Sequence, residues 1–448
     1  MTRRDGTELL CLMDGPHCSL PSIDIHPRER LAEQINAAVR DRWNLEAYSL
    51  ATCLGDSRAD SSSSQFQVME CVWPDGQAPP MACWIPLSSL AESSFRDPGS
   101  FLEIQGALRE IETHPAGKSP GPFASPGWMR ELRAWIQEQI GPLNLRLTGQ
   151  FRQLTASPAF SLIRFETTGP ALWFKAVGEP NVHELGIVSA LATLFPLFLP
   201  RVIASRPDWN AWLMTAAEGT SPDSGSDPVV WKTVSARLAQ LQILSVRETD
   251  RLLAVGCHDL RAESLLDRVD DFFASMNELM KQQTKTPPAI LTFGELQALG
   301  HRLKRALSML AATGIPDVLN HLDINPTNII VSDGYCTFLD WAEAAIGHPF
   351  LTLEYLLEHF KRLCPESSAR QTDISSSFAE TWEQHVSRLA LSRSLSLAPL
   401  AAVFACAVSD GCWRDSARLA NPQTAAYFRS LTRRMRREAD VLQSRILK

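Results

Sequence analysis

Between His321 and Pro349 the chain reads HLDINPTNIIVSDGYCTFLDWAEAAIGHP, and no other stretch constrains the fold as tightly. Two short apolar runs, IIVS and YCTFL, flank the dipeptide Asp333–Gly334. Asp-Gly in that setting predicts a two-residue β-hairpin, because both turn positions need a positive φ. A hairpin brings its ends together, so Asn328 just before it and Asp340 just after it are expected to be neighbours. Asp323 lies on the loop that enters the same place, and His321, Asp323 and Asn328 form an H-x-D-x-x-x-x-N pattern.

Two oxygen ligands and one further carboxylate thus converge. Magnesium takes hard oxygen ligands and keeps several waters, so one carboxylate and one amide oxygen suffice, with nucleotide phosphates completing the shell. Phosphoryl transfer also needs a separate carboxylate to accept the proton of the attacking hydroxyl. Asp340 and Asn328 suit Mg2+, and Asp323 suits the base. His321 is expected to brace the loop through hydrogen bonds rather than to move protons.

The stretch resembles the aminoglycoside phosphotransferase and choline kinase group, relatives of protein kinases, whose usual form is close to H-G-D-x-x-P-x-N-I-L followed by I-D-W. The match falls on His321, Asp323, Pro326, Asn328, Ile329, Asp340 and Trp341, then on Gly347 and Pro349. There are three departures: Leu322 replaces a glycine, His348 replaces a frequent aspartate, and Thr352 stands where an aspartate often steadies the catalytic loop. None touches the metal or base positions. They suggest a divergent branch rather than a dead enzyme.

The resemblance gives the upstream chain its expected roles. Lys175, in the apolar strand ALWFKAV, takes the place of the lysine that holds the α- and β-phosphates, with Glu184 as its partner and Glu179 as the other acidic candidate. A lysine on an edge strand reaching solvent is the plain reading. The phosphate-covering loop falls at Leu154–Ser161, which lacks G-x-G-x-x-G, so Ser157 is the candidate donor; an ordinary hairpin loop fits equally well. The strand AWLMT runs into AAEG, so Met214, Ala216 and Ala217 are expected to line an adenine slot, with Met214 as core side chain the equal alternative.

Pro and Gly dominate residues 114–127, HPAGKSPGPFASPG, which read as a linker. The implied organisation is an N-terminal accessory domain over 1–113, the linker over 114–127, a kinase-like N-lobe over 128–219 and a helical C-lobe over 220–448. Strands first and helices later, with a hinge near 215–220, give an α+β, bilobal protein-kinase-like fold. In the accessory segment, Leu31, Ile35, Val39 and Trp43 recur every fourth residue and predict a helix over Arg28–Trp43, followed by a polar loop around Ser61–Ser64. Its strand–helix–strand order and late W-x-P-L-x-x-L faintly resemble a Nudix domain. The helix INAAVRDRWNL cannot supply the glutamate set that hydrolase chemistry requires. From Val229 onward the chain reads as helical apart from the one hairpin.

Length and charge add limits. At 448 residues the chain is long enough for several core-bearing units, and a net charge of -7 argues against a general nucleic-acid binder. The ten cysteines form no C-x-x-C pair and read as reduced thiols. No signal-peptide core or membrane-length apolar run is apparent, so a cytoplasmic protein without a membrane partner is expected.

The function implied is transfer of the γ-phosphate of ATP or GTP to a hydroxyl of a small acceptor, either aminoglycoside-like, a sugar or an amino alcohol. The alternative is a catalytically silent nucleotide-binding module, motivated by the missing glycine loop and the three departures. Glu343, Glu354, Glu358 and Asp410 could meet a cationic acceptor, and Trp382 and Trp413 could stack on it. Solvated surface charge and core packing are the respective plain readings. Five arginines between Arg429 and Arg437 read most simply as a solvated helix face. Oligomeric state is left open.

Overall fold

The computed structural model describes residues 1–26, 29–53, 66–73, 75–112 and 121–446. Arg28, the loop around Ser61–Ser64 and the first half of the Pro/Gly stretch lie outside the described residues. The chain is α+β and forms two compact units: Met1–Leu185 with Arg201–Ala216, and Gly186–Pro200 with Ala217–Lys448.

The first unit opens with strands β1 (Thr2–Arg3), β2 (Glu8–Asp14) and β3 (His17–Ser19), then helix α1 (Leu31–Trp43). Strands β4 (Ala47–Cys53), β5 (Phe66–Cys71) and β6 (Ala82–Pro86) and helix α2 (Gly99–Glu112) follow. These strands form one sheet of order β3-β2-β1-β5-β4, with β6 paired to β2. Helix α3 (Trp128–Ile140) then leads into β7 (Leu147–Ala156), β8 (Ser161–Thr167) and β9 (Leu172–Ala176). With β10 (Val202–Arg206) and β11 (Ala211–Thr215) they make a five-stranded antiparallel sheet of order β10-β11-β9-β8-β7. Along β8 the side chains alternate between buried and half-buried, the period-two pattern of a sheet with one face on a core. The stripe Met129, Leu132, Ile136 and Ile140 of α3 supplies that core.

Residues 1–113 and the five-stranded sheet share this one unit. Asn36 of α1 donates to Gln153 of β7 at 3.0 Å, and Gln153 reaches the backbone of Ser49 in β4 in both directions at 2.8 and 3.0 Å. Tyr48 donates to the buried Glu70, which also accepts the Gly127 N–H at 2.6 Å. Phe123, inside the stretch expected to be a linker, is 1% exposed and packs edge-on against Trp128 and Trp209. A linker is not expected to bury an aromatic ring, so the described part of that stretch is core.

The second unit holds helices α4 (Glu184–Leu194, whose first two residues belong to the first unit), α5 (Pro228–Ser245), α6 (Thr249–Ala254), α7 (Ala262–Lys281) and α8 (Phe293–Ala311). After the site region come α9 (Phe350–Leu363), α10 (Ser368–Trp382), α11 (Arg388–Val408), α12 (Ser416–Leu419) and α13 (Pro422–Ile446). The hairpin falls where expected, β14 (Ile329–Ser332) against β15 (Tyr335–Phe338), with Asp333 at φ 46° and Gly334 at φ 81°. A further three-stranded sheet was not expected. Strands β12 (His258–Leu260), β13 (Val318–His321) and β16 (Ala344–Gly347) pair in the order β12-β16-β13. Every residue of β13 and β16 is buried, so no alternation marks them in the sequence.

Helix α11 is long and apolar enough to cross a membrane by length and composition, against the expectation that no stretch is; 67% of that window is buried. Its Leu397, Leu400, Phe404 and Ala407 sit in the helical core with α7, α8 and α13, which accounts for its composition. Trp382 and Trp413 are each 1% exposed, so neither offers a face to an acceptor. The arginine run is not simply solvated. Arg429 and Arg433 reach the backbone of Leu279 and Ala289, and Arg434 and Arg436 pair with Glu358 and Glu295.

Candidate active site

In the second unit the loop between β13 and β14 carries the motif. Asn325 starts it with an Asx turn: its Oδ1 accepts the Thr327 N–H at 3.0 Å and caps the single turn Pro326–Asn328. That turn aims two amides at one carboxylate. Asn325 Nδ2 donates to Asp323 Oδ1 at 2.8 Å, and Asn328 Nδ2 donates to Asp323 Oδ2 at 2.9 Å. Asp323 is half-buried and each of its oxygens keeps a second lone pair, so a proton can still be taken.

The hairpin closes on the same spot. Leu339 N donates to Asn328 O at 2.8 Å, which sets Asp340 beside Asn328. Asp340 has φ 62°, in the left-handed region that Asp tolerates better than most residues, and its side chain is exposed. Because Asn328 spends its amide N–H groups on Asp323, its Oδ1 is turned to other work. An amide oxygen and a solvent-open carboxylate make a donor set that fits magnesium. Among the described residues no group of three or more His, Cys, Asp or Glu could hold a metal ion, so phosphate oxygens would have to complete any shell.

His321 is 1% exposed, its ring stacks on Trp341 at 4.5 Å, and its Nε2 lies 2.8 Å from Leu339 O. Ring and backbone thus tie the loop to the end of the hairpin, the bracing role expected of it. The departures are absorbed in turn. Leu322 is 3% exposed in the helical core and its φ is not among the positive ones, so the position does not need glycine. Thr352 Oγ1 accepts the His321 N–H at 3.0 Å and donates to Asn320 Oδ1 at 2.7 Å. His348 Nδ1 accepts the Phe350 N–H at 3.3 Å, at the start of α9. Burial holds that imidazole neutral, with its pKa lowered to about 3.

Around this loop negative charge accumulates. The Glu343 carboxyl is pushed up to about 7, first by desolvation and then by the charges of Asp323, Asp340 and Asp410. Its side chain is open to solvent, so the charge crowding is the part that persists in solution. Glu358 is taken by Arg434 at 2.8 Å. The Tyr355 hydroxyl is buried with no hydrogen-bond partner, and desolvation, then Cys406 and Glu343, pushes its pKa well above the ordinary value.

In the first unit, Lys175 sits on the central strand β9 rather than on an edge, opposite Trp212 of β11. Its Nζ donates to Glu184 Oε1 at 2.5 Å, with side-chain exposures of 16% and 1%, and lies 5.5 Å from the Trp212 ring. Glu179, the other acidic candidate, is exposed. Ser157 is used by its own turn: its Oγ accepts the Phe160 N–H at 2.9 Å and its N–H donates to Phe160 O at 3.0 Å. Ala159 of this turn packs on Gly178, where an added Cβ would lie 2.7 Å from that of Ala159. Met214 pairs with Trp173 and is half-buried, while the Ala216 N–H is spent on Ala171 O at 2.8 Å. In the second unit Ala217 precedes Gly219, whose φ of +121° brings Val331 O to 2.2 Å from where a Cβ would stand. Thr220 and Val331 there exchange both backbone hydrogen bonds, at 3.1 and 2.9 Å.

Asn325, Asn320 and Thr352 were not singled out as site residues on the expected pattern. Only Asn325 leaves a sequence signal, the N-P-T-N run of an Asx turn.

The family model described as the phosphotransferase enzyme family matches residues 183–384. No curated protein sequence matches the chain. Among solved structures, the macrolide 2′-phosphotransferase apoenzyme from Brachybacterium faecium is 20% identical, covering 64% of this chain and 98% of its own, at a TM-score of 0.41. Choline kinase from Cryptosporidium parvum Iowa II is 11% identical, covering 71% and 97%, at 0.49. An ethanolamine kinase from Plasmodium vivax is 13% identical, covering 68% and 85%, at 0.45. At such TM-scores these likenesses do not favour one acceptor over another.

Proposed function

Residues 183–384 are a phosphotransferase enzyme family segment, and on that premise we propose that the chain transfers the γ-phosphate of ATP to a hydroxyl of a small, amine-bearing acceptor. The observation that carries the reading is the Asp323 carboxylate, held by the amides of Asn325 and Asn328 at the mouth of the hairpin.

Asp323 accepts the proton of the acceptor hydroxyl as that oxygen attacks phosphorus. Asn325 and Asn328 fix the carboxylate, so little ordering is left for the moment of reaction. Asn328 Oδ1 and the Asp340 carboxylate would hold Mg2+, which supplies charge neutralisation at the transferring phosphate. Lys175, oriented by Glu184, binds the α- and β-phosphates. Met214, with the backbone around Ala216 and Ala217, serves the adenine; since the Ala216 N–H is already bonded, its carbonyl and its neighbours carry that role. Ser157 shapes the phosphate-covering turn and contributes backbone rather than hydroxyl. His321 positions the loop.

The acceptor class follows from charge. Asp323, Asp340, Glu343 and Asp410 influence one another, and an ammonium group on the acceptor relieves that crowding. The domain reading that accompanies this function is an accessory segment over 1–113, a kinase-like N-lobe over 128–219 and a helical C-lobe over 220–448.

A silent nucleotide-binding module is the second reading, favoured by the Ser157 hydroxyl being consumed in its own turn. A panel of amino alcohols, amino sugars and neutral sugars, assayed for ADP release with Mg-ATP, tests both. Acceptor-dependent turnover supports the kinase. Nucleotide binding without turnover on any acceptor supports the module.

A further inference from the structure

We infer that the N-terminal part of the first unit carries its own binding site, for one small neutral or cationic amphiphile, which goes beyond the phosphoryl-transfer reading. A cavity of about 730 Å³ lies there. That volume falls within the roughly 300–1,000 Å³ of small-molecule sites, and most of its lining is apolar, as such sites are.

Its position explains why side chains do not fill it. The sheet of β1–β6 supports two separate small cores. Leu10, Ile35, Val39 and Met69 belong to one; Leu9, Cys11 and Ile104 belong to the other. The cavity is lined from both, by Ile35, Val39 and Met69 on one hand and by Leu9 and Ile104 on the other. Neighbouring cores in a domain of this size ordinarily merge at close-packed density.

The lining also selects the ligand. Its polar groups are few: Ser19 and Ser100 offer hydroxyls, Gln67 an amide, and Asp24 the one ionisable side chain. A carboxylate there disfavours an anionic headgroup and accepts a hydroxyl or ammonium. Helix α1 is fixed from its other side: Asn36, between Ile35 and the Val39 turn, is buried and bonded to Gln153 and Ser49. The wall is therefore held in place independently of any ligand, as a pre-formed site requires.

Calorimetric titration of the full chain with 1-octanol, octyltrimethylammonium and octanoate, below their aggregation limits, tests this. One molecule of octanol or octyltrimethylammonium should bind per chain, and octanoate about tenfold more weakly or not at all. Val39→Trp, which fills the cavity, should lower the affinity at least about tenfold, with the far-ultraviolet circular dichroism spectrum unchanged. Asp24→Asn, at an exposed position that folding does not depend on, should narrow the preference against octanoate. Absence of saturable binding to the native chain, binding undiminished in a folded Val39→Trp, or a preference for octanoate untouched by Asp24→Asn would each overturn the assignment. None of these readouts involves nucleotide turnover, so failure here and failure of the kinase reading are distinguishable.

Discussion

The hydroxyl of Thr352 accepts the backbone N–H of His321 over 3.0 Å and passes its own proton to Asn320. The first helical turn of α9 is thereby tied to the strand that delivers the catalytic loop, at a position where related sequences often use a carboxylate. Thr352→Val keeps the shape and removes both bonds. It leaves a buried N–H and a buried amide oxygen short of partners, at a cost of about 1–3 kcal/mol. Urea unfolding should show that loss, and turnover should fall with it; an unchanged midpoint would remove Thr352 from the support of the loop.

Glu184→Ala should be more damaging to stability than removing both members of the pair. The single change strands a largely buried ammonium, which costs about 3 kcal/mol or more, whereas Lys175→Met with Glu184→Leu replaces charge by apolar volume at little cost. Both proteins should bind Mg-ATP more weakly than the native chain. Thermal unfolding of the two variants side by side decides the stability order.

His348 makes the fold acid-sensitive. Its folded pKa of about 3 lies below the ordinary histidine value, so the unfolded chain takes up the proton first as pH falls. The stability from the neutral ring is complete above pH ~6.5 and is lost progressively below it, by about 2 kcal/mol between pH 6.5 and 5. Glu343 works in the opposite direction. Its raised pKa of about 7 means that the unfolded chain ionises first, so stability falls as pH rises from ~4.5 through 7. His348→Asn, whose amide oxygen can still accept the Phe350 N–H, should flatten the first slope, and Glu343→Gln the second. Denaturant midpoints from pH 5 to 8 would separate the two.

Gly219 is irreplaceable by the smallest of changes. A Cβ there meets the Val331 carbonyl at 2.2 Å, and φ is +121°. Gly219→Ala must break the Thr220–Val331 pair or shift the hairpin, so a loss of at least about 2 kcal/mol is expected. Proteolysis at the 217–221 segment should accelerate accordingly; a variant as resistant as the native chain would contradict the contact.

What the sequence reveals and what it conceals divide along physical lines. The Asp333–Gly334 turn is legible because positive φ at two successive residues admits few residue types, and Lys175 because a charge in an apolar strand needs a partner. The sheet of β12, β13 and β16 is not, since strands of three or four residues buried on both faces show no period. Phe123 is hidden by its neighbours: Pro and Gly signal a break in regular structure, which does not preclude burial. Asn320 and Thr352 act through a contact across 32 positions, a relation that local spacing cannot display.

The central claim is that Asp323 is the base, and it can be tested on one residue. With an acceptor that supports turnover, Asp323→Ala should lower kcat by at least about a thousandfold while Mg-ATP affinity stays within about threefold. Turnover at the native rate in that variant would contradict the account.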